Sequence, residues 1–341
     1  MKMITLRIFA LATLLSSACL AQANSYSQIY VFGDSLSDTG NLKAVLQNPQ
    51  IPERFTNGPV TVEIVAGALG LSLSNSYHLL GGALPFGNNY AIAGAKAVDD
   101  DNNEATPDIN LPTQVNAFLQ IHGGTAPADA LYIVFIGGND IRAARSIRAN
   151  AIFASDEELE AAKEAATASI ESSVNSQSAQ IMKLIGAGAQ HILVAGAPDI
   201  GTIPETSILT ATLANAAPSK SFAKKATKLP AVTSQLSDLY NRRLNQSLNS
   251  IEHSSGLDLI EYDLIEFSEN ELANAEANGY TNTEDPCIYV YSQAGTPNPE
   301  CLASAPSFPT QLTFFYWDEV HPTALVHYHS ALEMLETIQA H

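Results

Sequence analysis

The sequence predicts an α/β fold, a three-layer α/β/α sandwich in which a parallel sheet lies between two layers of helices. Short runs of consecutive apolar residues recur along the chain, as is typical of strands buried on both faces. Segments with helical periodicity separate these runs, and such alternation favours a parallel sheet. With 341 residues, of which 46% are hydrophobic, the chain can bury a large core.

Five apolar runs are predicted to form the strands of this sheet. In chain order they are Ile29–Phe32, Tyr90–Ala93, Leu131–Ile136, His191–Ala195 and Leu257–Tyr262. The carboxyl ends of parallel strands meet at one edge of a sheet, and ligands and substrates bind outside that edge. Side chains that directly follow these runs are therefore the first candidates for a functional site.

Helical patterns are clearest in three segments: Asp156 to Ile185, Leu236 to Ile251 and Thr323 to Ile338. Residues 204–230 depart from the pattern, because they are rich in Ser, Thr and Ala and are bounded by prolines. They also carry four lysines within nine positions. This composition predicts a mobile loop or lid, and a plain solvated insertion fits it equally well.

The first 23 residues have the features of a secretory signal peptide. Basic residues precede the apolar run Ile8–Leu15, which is too short to span a bilayer, and AQA at 21–23 fits a cleavage site. We therefore expect residues 24–341 to be exported as a single domain, to the periplasm, the cell surface or the medium. Lipoprotein processing at Cys19 is the alternative.

Cys287 and Cys301 are the other two cysteines of the chain. In an exported protein, two remaining cysteines are most simply explained by one disulfide, and the residues between them are typical of turns. Two separate thiols are the alternative. A disulfide here would close the loop 287–301.

The formal net charge of −19 limits the class of partner. Phosphate backbones require Lys and Arg, so the charge argues against a nucleic-acid partner. It argues equally against simple electrostatic binding to anionic membranes. Transient contact with a membrane or micelle through apolar surface remains open.

Ser35 directly follows the first predicted strand and is a candidate nucleophile. A serine nucleophile needs a general base and a group that orients the base, and Asp318 and His321 stand three residues apart near the other end of the chain. Each feature alone is also typical of ordinary turns and surface positions.

Acyl transfer also needs donors for the developing oxyanion. Gly94 follows the second predicted strand, and Asn139 follows the third. A glycine lets a backbone N–H approach a substrate closely, and an asparagine amide donates from its side chain. Tight helix packing for Gly94 and a helix cap for Asn139 are the alternatives.

Taken together, these blocks resemble the GDSL family of serine esterases and lipases, also called SGNH hydrolases. The matching blocks are GDS at 33–35 with the extension LSDTGN, Gly94 in AIAGA, GGND at 137–140 and DEVHP at 318–322. RFTNGPVTVEIVA at 54–66 and GAPDIGTIP at 196–204 also look like family segments. The resemblance extends from about residue 28 to the end of the chain.

The resemblance implies a flavodoxin-like fold with about five parallel strands and a role for each block. Ser35 is then the nucleophile, with His321 as the base and Asp318 as the third member of the triad. The N–H groups of Ser35 and Gly94 and the amide of Asn139 form the oxyanion hole. No cofactor or metal is implied, and His327 and His329 are expected to be packing or surface residues.

The extended first block is similar to the bacterial secreted branch of the family. That branch implies a phospholipase A or lysophospholipase acting on lipid esters or lysophospholipids, with a sterol as an alternative acyl acceptor. A short-chain or carbohydrate acetyl esterase of the same fold is one alternative, and a catalytically inactive binding protein is another. In addition, either loop 287–301 or residues 204–230 are expected to gate the substrate.

Overall fold

The protein is described by a computed structural model. It describes residues 26–80, 87–99, 108–292, 295–302 and 313–341. The predicted signal peptide, including Cys19, lies outside these ranges. Its cleavage and the export of the chain therefore stay predictions.

Four parallel strands form the centre of the fold. They are β1 (Ile29–Gly33), β2 (Leu131–Phe135), β3 (His191–Ala195) and β4 (Ile260–Tyr262), hydrogen-bonded in that order. All five residues of β1 and of β2 are buried, as expected for apolar runs inside a three-layer fold. The α/β fold class is thus confirmed, and four of the five predicted strands are present.

The predicted strand at Tyr90–Ala93 is not a regular strand, although it runs along the free edge of β1. The N–H of Tyr90 donates to Val31 O (2.7 Å), and the N–H of Ile92 donates to Gly33 O (3.1 Å). On the outer side, the N–H of Ala91 donates to the side chain of Asn89 instead of to a neighbouring strand. The segment therefore occupies the place of a fifth strand, but side chains satisfy its outer backbone groups.

Helices cover both faces of the sheet. Their bounds up to β3 are α1 (Asn41–Leu46), α2 (Thr61–Ala68), α3 (Leu111–Ile121), α4 (Gly138–Asn150) and α5 (Asp156–Ala187). After β3 follow α6 (Pro204–Ala216), α7 (Lys220–Ala226), α8 (Leu229–Ser255) and α9 (Leu264–Ala273). The last are α10 (Pro299–Leu302) and α11 (Ala324–Ala340).

The three helices predicted from periodicity are confirmed as α5, α8 and α11. Ser155 caps the N-terminus of α5, because its hydroxyl accepts the N–H of Glu158 and so satisfies one of the free donors of the first turn. Helices α4, α5 and α8 pack on one another, and α2 packs against α11. In the described part of the chain, no helix combines the length and apolar character needed to cross a membrane.

The prediction of a loop at residues 204–230 is wrong, because these residues form α6, α7 and the start of α8. The prolines taken as boundaries stand in the first turns of helices, where a missing N–H costs nothing. Leu209 and Leu213 of α6 pack against the cluster that contains Ile152, and this packing stabilises helices in a segment rich in small residues. A role for this segment in gating stays untested.

A small C-terminal region follows α9 and carries the predicted disulfide. Strand β5 (Asn282–Pro286) pairs with β8 (Phe314–Tyr316), and β6 (Ile288–Tyr289) pairs with β7 (Thr296–Pro297). Cys287 and Cys301 form the disulfide and are both buried. It attaches the start of the β6–β7 hairpin to α10.

Candidate active site

The structure brings together Ser35, His321 and Asp318, the three residues predicted as a catalytic triad. Ser35 Oγ lies 2.8 Å from His321 Nε2. On the other side of the ring, Nδ1 lies 2.8 and 2.9 Å from the two carboxylate oxygens of Asp318. All three residues are at most 9% exposed, so water competes little with these contacts.

The backbone around Ser35 is held by Asp38. Its carboxylate accepts the N–H groups of four residues: Gly40, Asn41, Leu42 and Ala93. Asp34 accepts the N–H of Leu36 in the same loop. Both aspartates therefore shape this loop through hydrogen bonds to its backbone. The bond to Ala93 also connects the loop after β1 to the segment that carries Gly94.

Asp318 organises the turn that presents His321. Its Oδ1 accepts the N–H groups of Val320 and His321, each at 2.8 Å. The backbone N–H of Trp317 closes the turn by donating to the carbonyl of His321 (2.7 Å). The ring of Phe55 packs against the imidazole with a centroid distance of 5.2 Å. The orientation of the imidazole is thus determined by both backbone and side-chain contacts.

Gly94 and Asn139, the predicted oxyanion donors, are connected to one another. The amide nitrogen Nδ2 of Asn139 donates to the carbonyl of Ala95, which is next to Gly94 (3.0 Å). Gly94 has φ +88°, a conformation that glycine adopts at little cost. Among the described residues, no hydrogen bond uses the N–H of Ser35, that of Gly94 or the second Nδ2 hydrogen of Asn139.

An ion-pair network beside Asn139 was missed by the sequence reasoning. Arg142 donates from Nη1 to Asn139 Oδ1 (3.0 Å) and from Nε to Glu205 Oε2 (2.9 Å). Arg145 donates to the same carboxylate (2.7 Å). Burial opposes the charge of Glu205, but hydrogen bonds from the two arginines hold its pKa below the ordinary value. The signal in the sequence was the i,i+3 spacing of Asn139 and Arg142, which places the two side chains on one face of a helix.

Glu319, the neighbour of Asp318, was also missed. Its buried carboxylate accepts the backbone N–H groups of three consecutive residues, 290–292, at 2.8 to 3.1 Å. The hydroxyl of Ser292 donates to it as well. The tip of the disulfide-bounded hairpin is therefore attached directly to the Asp318–His321 segment.

Three buried carboxyl groups beside the site, those of Asp34, Asp38 and Asp140, have pKa values raised by burial. Burial raises the pKa of Asp34 to about 7 and that of Asp140 to about 6, against the opposing effect of backbone N–H donors. Burial also lowers the pKa of His327 to about 3, and its Nδ1 accepts the N–H of Thr61. His327 is therefore a neutral packing histidine, as expected.

A narrow apolar pocket of about 90 Å³ opens beside Ser35 and His321. Its apolar lining includes Ile200, Ile203, Leu264, Phe267, Leu272 and Val326. These side chains come from the loop after β3 and from α9 and α11. The surface of this lining is mainly apolar and suited to hydrocarbon, although polar side chains such as Asp199, Thr202 and Ser268 also line the pocket.

Among the described residues, no group of three or more His, Cys, Asp or Glu side chains is placed to hold a metal ion. His329 lies 2.7 Å from Glu271 through Nδ1, and Tyr280 also donates to that carboxylate. These contacts join α9 to α11.

Comparison with known proteins identifies several relatives. The chain is 33% identical to Lipase 1 of Photorhabdus luminescens over 56% of its own length and 25% of that protein. It is 28% identical to acetylajmalan esterase 2 of Rauvolfia serpentina, covering 89% of this chain and 88% of the relative. It is 24% identical to the phosphatidylcholine-sterol acyltransferase of Aeromonas hydrophila, covering 89% and 87%.

Among solved structures, an extracellular lipase from Streptomyces rimosus matches 91% of this chain and 99% of its own, with 16% identity and a TM-score of 0.39. The sequence profile of the GDSL-like lipase/acylhydrolase family matches residues 29–334. This match includes Ser35, Gly94, Asn139, Asp318 and His321. The chain therefore belongs to the GDSL-like lipase/acylhydrolase family.

Proposed function

We propose that the protein is an exported serine hydrolase that cleaves lipid esters through an acyl-Ser35 intermediate. The observation that carries this proposal is the 2.8 Å contact between Ser35 Oγ and His321 Nε2 beside an apolar pocket. A buried serine hydroxyl in contact with a carboxylate-paired imidazole is the arrangement that nucleophilic catalysis needs.

The first half of the reaction forms the acyl-enzyme. Ser35 Oγ attacks the ester carbonyl carbon while His321 Nε2 takes its proton, and Asp318 stabilises the imidazolium that results. The N–H groups of Ser35 and Gly94 and the amide of Asn139 donate to the carbonyl oxygen as it becomes negative. The C–O bond then breaks, and His321 returns the proton to the departing alcohol.

The second half releases the acyl group. Water gives a proton to His321 and attacks the acyl carbon. The bond from that carbon to Ser35 Oγ then breaks, and His321 returns the proton to Oγ, which frees a fatty acid and restores Ser35. An alcohol in place of water would give a new ester by the same steps. The similarity to a phosphatidylcholine-sterol acyltransferase supports a sterol as that alcohol.

The apolar pocket supports esters with a long acyl chain, and the activity we propose is that of a phospholipase A or lysophospholipase. Its apolar wall offers an acyl chain a place out of water, at about 25 cal/mol per Å² of apolar surface buried. An acetyl group would leave most of that wall uncovered. Export is proposed from the features of residues 1–23 and is tested by the N-terminal mass of protein recovered outside the cytoplasm.

The test is fatty-acid release from p-nitrophenyl esters of increasing chain length, lysophosphatidylcholine and phosphatidylcholine, with and without sterol. We expect release from the lysophospholipid and a loss of several orders of magnitude in Ser35→Ala. Sterol ester formation would add the acyltransferase activity. Activity confined to acetyl esters would overturn the lipid assignment, and wild-type turnover by Ser35→Ala would overturn the mechanism.

A further inference from the structure

We propose that Arg142 and Glu205 are positioning residues that hold the amide of Asn139 as an oxyanion donor and connect it to the Asp318–His321 segment. This inference rests on the proposed function, because it concerns how the same site stabilises its transition state. It assigns the first turn of α6, in a segment expected to be a lid, to the framework of the site.

The amide of Asn139 is held at both of its ends. Arg142 Nη1 donates to Oδ1 (3.0 Å), and Nδ2 donates to the carbonyl of Ala95 (3.0 Å). If the amide turned over, its NH₂ group would face the Arg142 donor and its oxygen would face the Ala95 carbonyl. Both contacts would become repulsive, so one amide orientation is enforced. That orientation leaves one Nδ2 hydrogen without a partner among the described residues, and Asn139 lines the same pocket as Ser35.

Arg142 is itself held by Glu205. The guanidinium contacts both carboxylate oxygens, through Nε and through Nη2, which fixes the plane of the group. Arg145, whose side chain is 5% exposed, donates to the same carboxylate from one turn further along α4. A lysine at 142 would supply the charge but could not make these two contacts and the bond to Asn139 in one plane.

Glu205 also reaches the other half of the site. Its N–H donates to the carbonyl of Glu319 (2.8 Å), the residue between Asp318 and Val320. A continuous path of contacts therefore runs from the Asp318–His321 segment through Glu205 and Arg142 to Asn139. The relative positions of the base and the oxyanion donor depend on this path.

The charge of Arg142 has a second effect on the amide. A hydrogen bond from a cation to Oδ1 draws electron density from the amide and makes the Nδ2 hydrogens stronger donors. This effect matters most when the substrate oxygen becomes negative. Removing Arg142 should therefore lower kcat more than it raises KM.

The test is a double-mutant cycle measured on a soluble p-nitrophenyl ester. Arg142→Gln should lower kcat by about 10- to 100-fold, less than the loss of a whole oxyanion donor, with KM changed by less than about threefold. In an Asn139→Ala background the same substitution should cost less than about threefold, because its target is gone. Glu205→Gln should show the same dependence on Asn139.

Arg148→Gln is the matched control, because Arg148 also lies on α4 but donates to the carbonyl of Leu159. It should leave turnover unchanged. An equal loss from Arg142→Gln in both backgrounds would overturn the inference, as would wild-type kcat in the single variant. If Arg142→Gln folds poorly, Arg142→Lys serves in the cycle and should lose kcat in the same Asn139-dependent way. Failure of the proposed function is separate, since Asn139→Ala and Ser35→Ala would then have no effect.

Discussion

The substitution Asp318→Asn tests the orientation of His321 with almost no change in shape. Oδ1 of Asp318 accepts the N–H groups of Val320 and His321 and lies 2.9 Å from the imidazole Nδ1, whereas Oδ2 lies 2.8 Å from Nδ1 and has no other hydrogen bond within the described residues. In the asparagine variant the oxygen must remain with the two backbone donors. The amide nitrogen then takes the place of Oδ2 and donates to Nδ1.

An amide N–H that donates to Nδ1 changes the tautomer of the neutral imidazole. Nδ1 must then accept, so the ring proton moves to Nε2, the atom that faces Ser35 Oγ. A protonated Nε2 cannot take the serine proton. We expect kcat to fall by about 10⁴-fold, which corresponds to about 5 kcal/mol of transition-state stabilisation.

The assay is burst and steady-state hydrolysis of a p-nitrophenyl ester, with nitrogen NMR of the labelled imidazole to identify the tautomer. Asp258→Asn is the matched control, because Asp258 also stands beside a histidine, His341, but on the surface. It should keep wild-type turnover. An Asp318→Asn variant within about tenfold of wild type would refute the assigned role of Asp318.

Three further predictions concern pH, the disulfide and the pocket. Burial raises the pKa of Asp34 to about 7 from 3.8, so through this window the folded protein holds a proton that the unfolded chain releases. The free energy of unfolding should therefore fall as pH rises from about 4 to about 7. The variant Asp34→Asn keeps an acceptor for the N–H of Leu36 but cannot titrate, so urea titrations of it should show a smaller decline with pH. A decline as steep as that of the wild type would contradict this prediction. Replacing Cys287 and Cys301 by alanine should lower the free energy of unfolding by about 3 kcal/mol, because the unfolded chain loses a closed loop. Urea unfolding measures the change, and reduced wild-type protein is the comparison. Equal stability of the variant and the oxidised wild type would contradict the prediction. Leu272→Trp should fill the pocket between α9 and α11, so that turnover of palmitoyl esters falls while that of acetyl esters persists; parallel losses on both would argue against an acyl-chain site here.

Much of the fold and the triad could be predicted from the sequence. The runs that became β1, β2 and β3 are almost entirely apolar because both faces of each strand are covered, so the apolar pattern predicts where the strands lie. Ser35 and His321 were identifiable because few residue types can act as a nucleophile and a base. Their 2.8 Å contact across 286 positions was implied only by the resemblance to a family.

Residues 204–230 show where sequence patterns failed. Their composition predicted a loop, since helix propensity alone is a weak guide and tertiary packing overrides it. The prolines at the ends stand at the starts of helices, and Leu209 and Leu213 pack against the cluster that contains Ile152. The prediction of a strand at Tyr90–Ala93 was wrong for a related reason, because side chains rather than a neighbouring strand accept its outer N–H groups.

By itself the sequence determined the fold class, the order of the site blocks and the chemical types available at each. These properties depend on local composition and on spacing along the chain. Only the tertiary structure decided that Glu205, 63 positions beyond Arg142, binds the guanidinium that contacts the amide of Asn139, and that α9 and α11 line the pocket. Hydrogen bonds and cavities depend on distances across the fold, and residues distant in sequence have no local pattern that records which of them will meet.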